Sequence, residues 1–527
     1  MTQDVALRIR TIALLLGASN LLSRILGYGR DWLINYHFGA NGLTDVYQAS
    51  FTVPDMLNYL LAGGALSVSL MPRMAALYAQ EAKEPPPAGE MLPSNHTFSM
   101  IFTAMLVAAV VLVGLAEAFA EPAVRTLFHG FTPERIAQTT YLTRIVLPAQ
   151  LFFLTGGLVQ ACTMARQDFK SVALTPLLYN FGIIAGGVIG SRSGHIEGFS
   201  YGALCGAAVG GLAVPAWMAR NRLQYRFTWR PSDPEIRAFL WTALPLMIGV
   251  SLTTVDEWIG RYFGSQLAPG SISWLAMARR VMLVPIGLLG TATGQATGAF
   301  IARLFAEHKR EELSDVLARS LAAVVGLSLV LSAALAALSQ PVVGILFEYG
   351  HFHQADTVRT AAALVPLAFG IAAWGAQSVL SRALYATGDT WRPMLATTAV
   401  TLAMLPIYKY FSRWEIVGLA AAGTIGMLAQ ALTLAALCRA RLGLALRPLL
   451  VGVLRGLAVA VLAGLAALLM DRVCAPIFVA PRIGYLLRLA VAGSAWMLIV
   501  LVLGVLLKMP GLPRAVDRRL QRWLRRG

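Results

Sequence analysis

From Arg10 to Lys508 the chain is a near-continuous succession of long apolar runs separated by short polar joints. A helix needs roughly 20 apolar residues to cross a bilayer core. About fourteen runs meet that length, near residues 10–36, 44–79, 97–120, 136–164, 172–190, 197–219, 236–263, 271–305, 314–338, 357–386, 391–410, 415–437, 447–470 and 484–508. Only 13% of the 527 residues are charged and 57% are hydrophobic, whereas a soluble domain is about a quarter charged. Lipid offers no partners to backbone N–H and C=O groups, so runs of this length have to be helices. The expectation is an all-α integral membrane protein, which excludes a soluble enzyme.

The net charge of +17 does not mark a nucleic-acid binder, because the basic residues are scattered between apolar runs rather than gathered on one face. Most of them fall in the even-numbered joints and at the two termini, among them Arg220, Arg222, Arg226, Arg230, Lys309, Arg310, Arg439 and Arg441. Positive joints stay in the cytoplasm, so both termini are expected there. The tail Arg514 to Arg526 is either a basic amphipathic helix lying on an anionic leaflet or a purely topogenic anchor. Cys162, Cys205, Cys438 and Cys474 lack ligand spacing, and His351 and His353 lack further ligands, so no metal is expected. The chain has no GxxxxGK(S/T), GxSxG or HExxH stretch, which leaves it without a nucleotide site or a hydrolase motif, and no cofactor is expected.

The two halves of the chain resemble each other. LFHGFTPERIAQTTYLTRIVLPAQLFF from Leu127 parallels LFEYGHFHQADTVRTAAALVPLAFGIA from Leu346, and Ala165 to Asp168 parallels Ala386 to Asp389, at an offset of about 220 residues. Phe38-Gly39 and Pro54 have counterparts in Phe263-Gly264 and Pro285. This predicts an N-terminal lobe over 1–219, a cytoplasmic linker over 220–235, a C-terminal lobe over 236–438, an appended helix pair within 439–508 and a basic tail over 509–527. Repeats six helices apart share an orientation, and such halves commonly enclose a substrate site and rock about it. The expected class is therefore a transporter.

Charges inside spans are the informative residues, since one at the bilayer centre costs about 2.5–3.5 kcal/mol or more. The first helix carries Arg24, Arg30 and Asp31 in SRILGYGRD, with Arg24 and Asp31 on one face about 10 Å apart. A bend at Gly27 would bring Arg30 closer. The second adds Asp45, then Pro54, Gly63 and Gly64, which weaken a straight helix. The eighth carries Arg279 and Arg280 ahead of Pro285. Guanidinium groups grip phosphate oxygens in pairs, so several of them facing one cavity suit a pyrophosphate; near helix ends they can instead snorkel to headgroups. Asp256 and Asp389 are candidates for a coupling cation, with a loop or cap role as the alternative for Asp389.

SRILGYGRD, followed by FGANGLTDVYQASFTVPDMLNYLLAGGALSVSLMPRMAALY, resembles the N-terminal signature of the MurJ/MviN family of lipid II flippases, within the multidrug, oligosaccharidyl-lipid and polysaccharide exporter superfamily. The resemblance continues through RRVMLVPIGLLG and ALYATGDTWRPML. It implies two six-helix lobes plus two helices in a bacterial inner membrane. Arg24, Arg30, Asp45 and Arg280 match positions of the family's central cationic cavity. It also implies movement of an undecaprenyl-pyrophosphate-linked peptidoglycan precursor to the outer leaflet by alternating access, driven by Na⁺ or membrane potential, with cell-wall synthesis proteins as candidate partners. Asn58 stands where the family usually has an arginine, Asp55 where it has Asn, and Gly63 where it has Glu. These departures keep open a flippase for an exopolysaccharide or O-antigen unit, or a drug exporter. A non-transporting scaffold for cell-wall assembly is the reading from another class.

Overall fold

The computed structural model describes residues 3–62, 65–84, 87, 90–241, 255–389, 391–478 and 481–511. Among these residues every regular element is helical. Among the described residues nine helical runs are long and apolar enough to cross a membrane, and one of them, Trp391–Leu442, holds two expected spans, 391–410 and 415–437. The chain turns back there through a single 3₁₀ turn, Ser412–Trp414, and helix Glu415–Leu442 packs against Trp391–Ala403. Helices Gln3–Phe38 and Ser271–Ala306, each 36 residues, cover the expected spans 10–36 and 271–305. The expected span 44–79 is three successive helices, Gly42–Ser50, Thr52–Ala62 and Ala65–Lys83. Its first break falls at Phe51, and Pro54 lies in the first turn of the second helix, where a missing N–H leaves no ladder bond unmade. Gly63, Gly64, residues 242–254 of the expected span 236–263 and the tail beyond Gly511 lie outside the described residues.

The chain forms two compact units, Met1–Thr254 and Val255–Gly527. Each contains the same succession of elements. A long helix (Pro93–Ala118, Arg310–Ala337) is followed by a short one (Ala120–Leu127, Ser339–Phe347) and then by a 33-residue run (Pro133–Ala165, Gln354–Ala386). The short helices end on buried Phe128 and Phe347, which meet Phe131 and Phe352 at 5.4 and 6.2 Å. The long runs end on one and the same cap. Asp168 N–H donates to Thr163 O and Gln167 N–H to Met164 O; Asp389 N–H donates to Leu384 O and Gly388 N–H to Tyr385 O. This bond pair needs a left-handed residue, which is Gln167 (φ 62°) in one unit and Gly388 (φ 83°) in the other. The repeat read from the sequence is thus a repeat of backbone conformation as well.

Lipid tails are as apolar as leucine, so helices in a bilayer associate through close packing rather than through escape from water. In the first unit Gly182, Gly186 and Gly190 of helix Lys170–Ser191 lie against Gly198, Gly202 and Gly206 of helix Glu197–Gly206, backbone on backbone. A Cβ on Gly202 would overlap Gly182 O and come within 3.0 Å of Ile183 Cα. In the second unit Gly326 meets Gly456, and Ala333 meets Gly464, so that helix Leu446–Cys474 of the appended pair docks on Arg310–Ala337. The appended pair is itself joined by a bidentate ion pair, Arg488 Nε and Nη2 at 2.8 and 2.7 Å from the two oxygens of Asp471, both residues buried. Gln377 donates to Gln430 and Gln430 to Thr401, each at 2.9 Å, a polar chain across three helices.

The basic segment 220–235 is strapped to its own unit. Backbone N–H groups of Gln224, Arg226 and Thr228 donate to the side chains of Asn95, Ser99 and Thr103 at 3.2, 3.0 and 3.4 Å. Two residues of extended chain advance about 6.6 Å and four residues of helix about 6 Å, so alternate amides stay in register with every fourth helical side chain. Glu235 then clamps Arg73 at 2.5 Å and Thr97 at 2.8 Å.

Two outcomes are expected from this packing. Gly202→Val should lower the thermal stability of the purified protein by the equivalent of about 1–3 kcal/mol, read by thermal unfolding in detergent. Gln167→Gly should raise it by about 0.4–1 kcal/mol in the same measurement, because glycine adopts that φ without strain.

Candidate functional site

Helix Gln3–Phe38 turns one face toward Lys170–Ser191. The Ser19 hydroxyl donates to Ala173 O, Asn180 Nδ2 donates to Ser23 Oγ at 3.2 Å, and Gly27 faces Asn180 Oδ1. Positions 19, 23 and 27 lie on one helical stripe, and the next turn brings Arg30 and Asp31. Arg30 Nε and Nη2 both lie 3.0 Å from Asp31 Oδ1. Adjacent helical side chains diverge by about 100°, so it is the long arginine stem that closes the pair. Asp31 is fully buried, while the Arg30 side chain keeps 15% of its surface open. Its guanidinium is in electrostatic reach of Tyr47 and Tyr179, and Tyr179 in turn of Asp55.

Arg24 is exposed, one residue beyond Ser23, and among the described residues no carboxylate pairs with it. The shared face of Arg24 and Asp31 therefore produces no contact, because Asp31 is taken by Arg30. Gly27 lies within an unbroken helix. Asp45 is buried in the first turn of Gly42–Ser50, where a carboxylate suits the positive end of the helix dipole. That turn is held by Asn41, whose side chain accepts from Leu43 and Thr44 N–H at 2.9 and 3.3 Å. The Arg135 guanidinium lies so close over Gly42 that any side chain there would overlap it.

The second unit has its own charged cluster. On helix Val255–Gly264, Glu257 Oε1 pairs with Arg261 Nη2 at 2.7 Å. Gly264 on the same helix admits Ile272 of Ser271–Ala306 closely, 3.2 Å from where a Cβ would be, and Arg279 Nη2 lies in ordinary contact range of Gly260, 3.8 Å from where its Cβ would be. Glu257 is in electrostatic reach of Arg261, Arg279 and Arg280 together. Arg261 keeps only 14% of its side chain open and Glu257 keeps 43%. Pro285 lies inside an unbroken helix one turn further on. Asp256 belongs to the same short helix by its backbone, and its side chain lies outside what is described. Asp389 accepts from Arg392 N–H at 3.3 Å and pairs with Arg392 Nη1 at 3.3 Å, closing the turn as Asp168 does with Lys170 N–H and Arg222.

Glu257 and Arg261 escaped the sequence reading, which took Asp256 from the same stretch. A carboxylate four residues before an arginine in EWIGR, inside an apolar run, is the signal that would have found them. What both clusters can do is hold an anion by guanidinium groups kept in place by carboxylates.

The family model described as "Lipid II flippase MurJ" matches residues 34–484. A probable lipid II flippase MurJ of Bdellovibrio bacteriovorus is 25% identical over 455 residues, 84% of this chain and 85% of that protein. The lipid II flippase MurJ of Burkholderia cenocepacia is 25% identical over 391 residues, 72% of this chain and 74% of that one. Among solved structures, a lipid II flippase MurJ in an inward closed conformation superposes with a TM-score of 0.76 at 21% identity, covering 93% of this chain and 99% of that one. An inward-facing multidrug MATE transporter follows at 0.63 and 17% identity, covering 80% and 94%.

Removing Asp31 leaves a nearly buried guanidinium without its counter-charge. Asp31→Asn is expected to cost about 3–5 kcal/mol of stability, and Asp31→Asn with Arg30→Met distinctly less, as read by thermal unfolding in nanodiscs.

Proposed function

This chain belongs to the MurJ family of lipid II flippases, and on that premise we propose that it carries lipid II from the inner to the outer leaflet of a bacterial inner membrane by alternating access. The polyprenyl tail can stay in lipid throughout, so only the sugar and pyrophosphate head needs a polar route. Arg24 and Arg30 of the first unit and Arg279 and Arg280 of the second are assigned to the pyrophosphate, which guanidinium groups bind with paired hydrogen bonds. Asp45 is assigned to the same machinery as a fixed acidic neighbour. What supports the assignment is arginine and carboxylate carried together inside apolar helices of both units, where unpaired charge is too costly to persist without a use.

The drive is placed in the membrane potential or Na⁺. An anionic head moving outward from an inside-negative cell gains about 2.3 kcal/mol per charge for each 100 mV. Asp256 is the proposed Na⁺ carboxylate. Asp389, whose oxygens are engaged by Arg392, is left with the role of a cap. The termini are placed in the cytoplasm by the basic joints, and cell-wall synthesis proteins remain the proposed partners.

The test is complementation of a strain depleted of its peptidoglycan flippase, alongside a leaflet-accessibility assay. The wild-type chain should restore growth. Arg24→Ala and Arg280→Ala should each reduce flipping at least about tenfold with membrane insertion intact. No rescue by well-expressed wild-type chain would refute lipid II as cargo, and normal flipping by either variant would refute the site.

A further inference from the structure

One carboxylate in the second unit is bonded to one guanidinium and stands within electrostatic reach of two more. Glu257 is bonded to Arg261 at 2.7 Å, lies one helical turn from Gly260 where the Arg279 guanidinium crosses, and is in electrostatic reach of Arg280. Arg261 is nearly closed off, whereas Glu257 is the more open partner of the pair. Three arginines and one glutamate leave two positive charges. A diphosphate esterified at both ends carries about two negative charges. These four side chains match the ligand in charge only if Glu257 stays ionised and in place.

We propose that Glu257 is a stand-in for the ligand: it holds Arg261, Arg279 and Arg280 poised while the site is empty, and yields them to the pyrophosphate oxygens when the head arrives. Arg261 is accordingly a further substrate-binding residue, and Glu257 a positioning residue that tunes affinity. The inference rests on the assignment of a lipid-linked pyrophosphate as cargo. Its physical logic is exchange. A guanidinium at membrane depth without a counter-ion would either withdraw toward headgroups or bind an anion too tightly to release it. A resident carboxylate avoids both, because each phosphate contact formed replaces a carboxylate contact rather than adding to nothing. Such a carboxylate weakens ground-state binding and speeds departure, which a transporter needs at every cycle.

The experiment uses the full chain in nanodiscs for binding and in proteoliposomes for flipping, with lipid II and undecaprenyl pyrophosphate as two probes. Glu257→Gln should tighten binding of both probes about three- to tenfold and slow lipid II translocation by a similar factor. Arg261→Gln should weaken binding of both, and Arg261→Lys should recover part of the loss. The double variant Glu257→Gln with Arg261→Gln restores the two-plus charge and should bind within about twofold of wild type. A purely structural role predicts the opposite for Glu257→Gln, namely weaker binding with a lowered unfolding temperature. Equal or weaker binding by Glu257→Gln, or a double variant that binds far more weakly than wild type, overturns the proposal. Wild-type chain that takes undecaprenyl pyrophosphate but not lipid II overturns the cargo assignment and leaves the glutamate comparison readable with the first probe. Binding of neither overturns both.

Discussion

A guanidinium inside a bilayer has only three ways to persist: reach the headgroups, reach water, or bring a carboxylate with it. The third dominates the described interior of this protein. Arg30 is closed onto Asp31, Arg261 onto Glu257, and Arg488 onto Asp471. Pairing of this kind adds little stability in itself, since two desolvated ions roughly offset their attraction. Its consequence is positional. Each arginine is held at a set depth and rotation, and the rest of the architecture has to be arranged around that placement.

The three pairs differ in geometry and in openness. Arg488 and Asp471 are both buried and bonded through two contacts, so they lock the appended helix pair together. Arg30 and Glu257 each keep part of their surface open. A bond between ions that a third ion can reach is exchangeable, and an exchangeable anion site is what a carrier of pyrophosphate requires. The same chemistry thus serves as a rivet in the appended pair and is proposed as a receptor at the more open Glu257.

Holding those charges needs helices that approach closely, and the protein achieves this with glycine rather than with bulk. The Gly182–Gly206 and Gly326–Gly456 contacts put backbone against backbone, which suits a medium where apolar side chains gain nothing by leaving lipid. The strap at 223–230 adds a polar version, with backbone amides of an irregular segment satisfied by Asn95, Ser99 and Thr103. Amides left unpaired near lipid would be costly.

The helical class, most span positions and the internal repeat were legible in the sequence, because each is a property of one residue or of a short periodic run. Hydropathy needs no partner to be read, and neither does the Ala-Arg-Gln-Asp and Ala-Thr-Gly-Asp spacing that marks the two caps. Pairings were not legible. That Asp31 goes to Arg30, that Glu257 pairs with Arg261 within reach of Arg279 and Arg280, and that the segment read as a linker is bolted to helix Pro93–Ala118 all depend on how each helix is rotated and how closely its neighbour comes. Those quantities are set by contacts between residues far apart in the chain, chiefly glycine against backbone, and only the folded protein contains them.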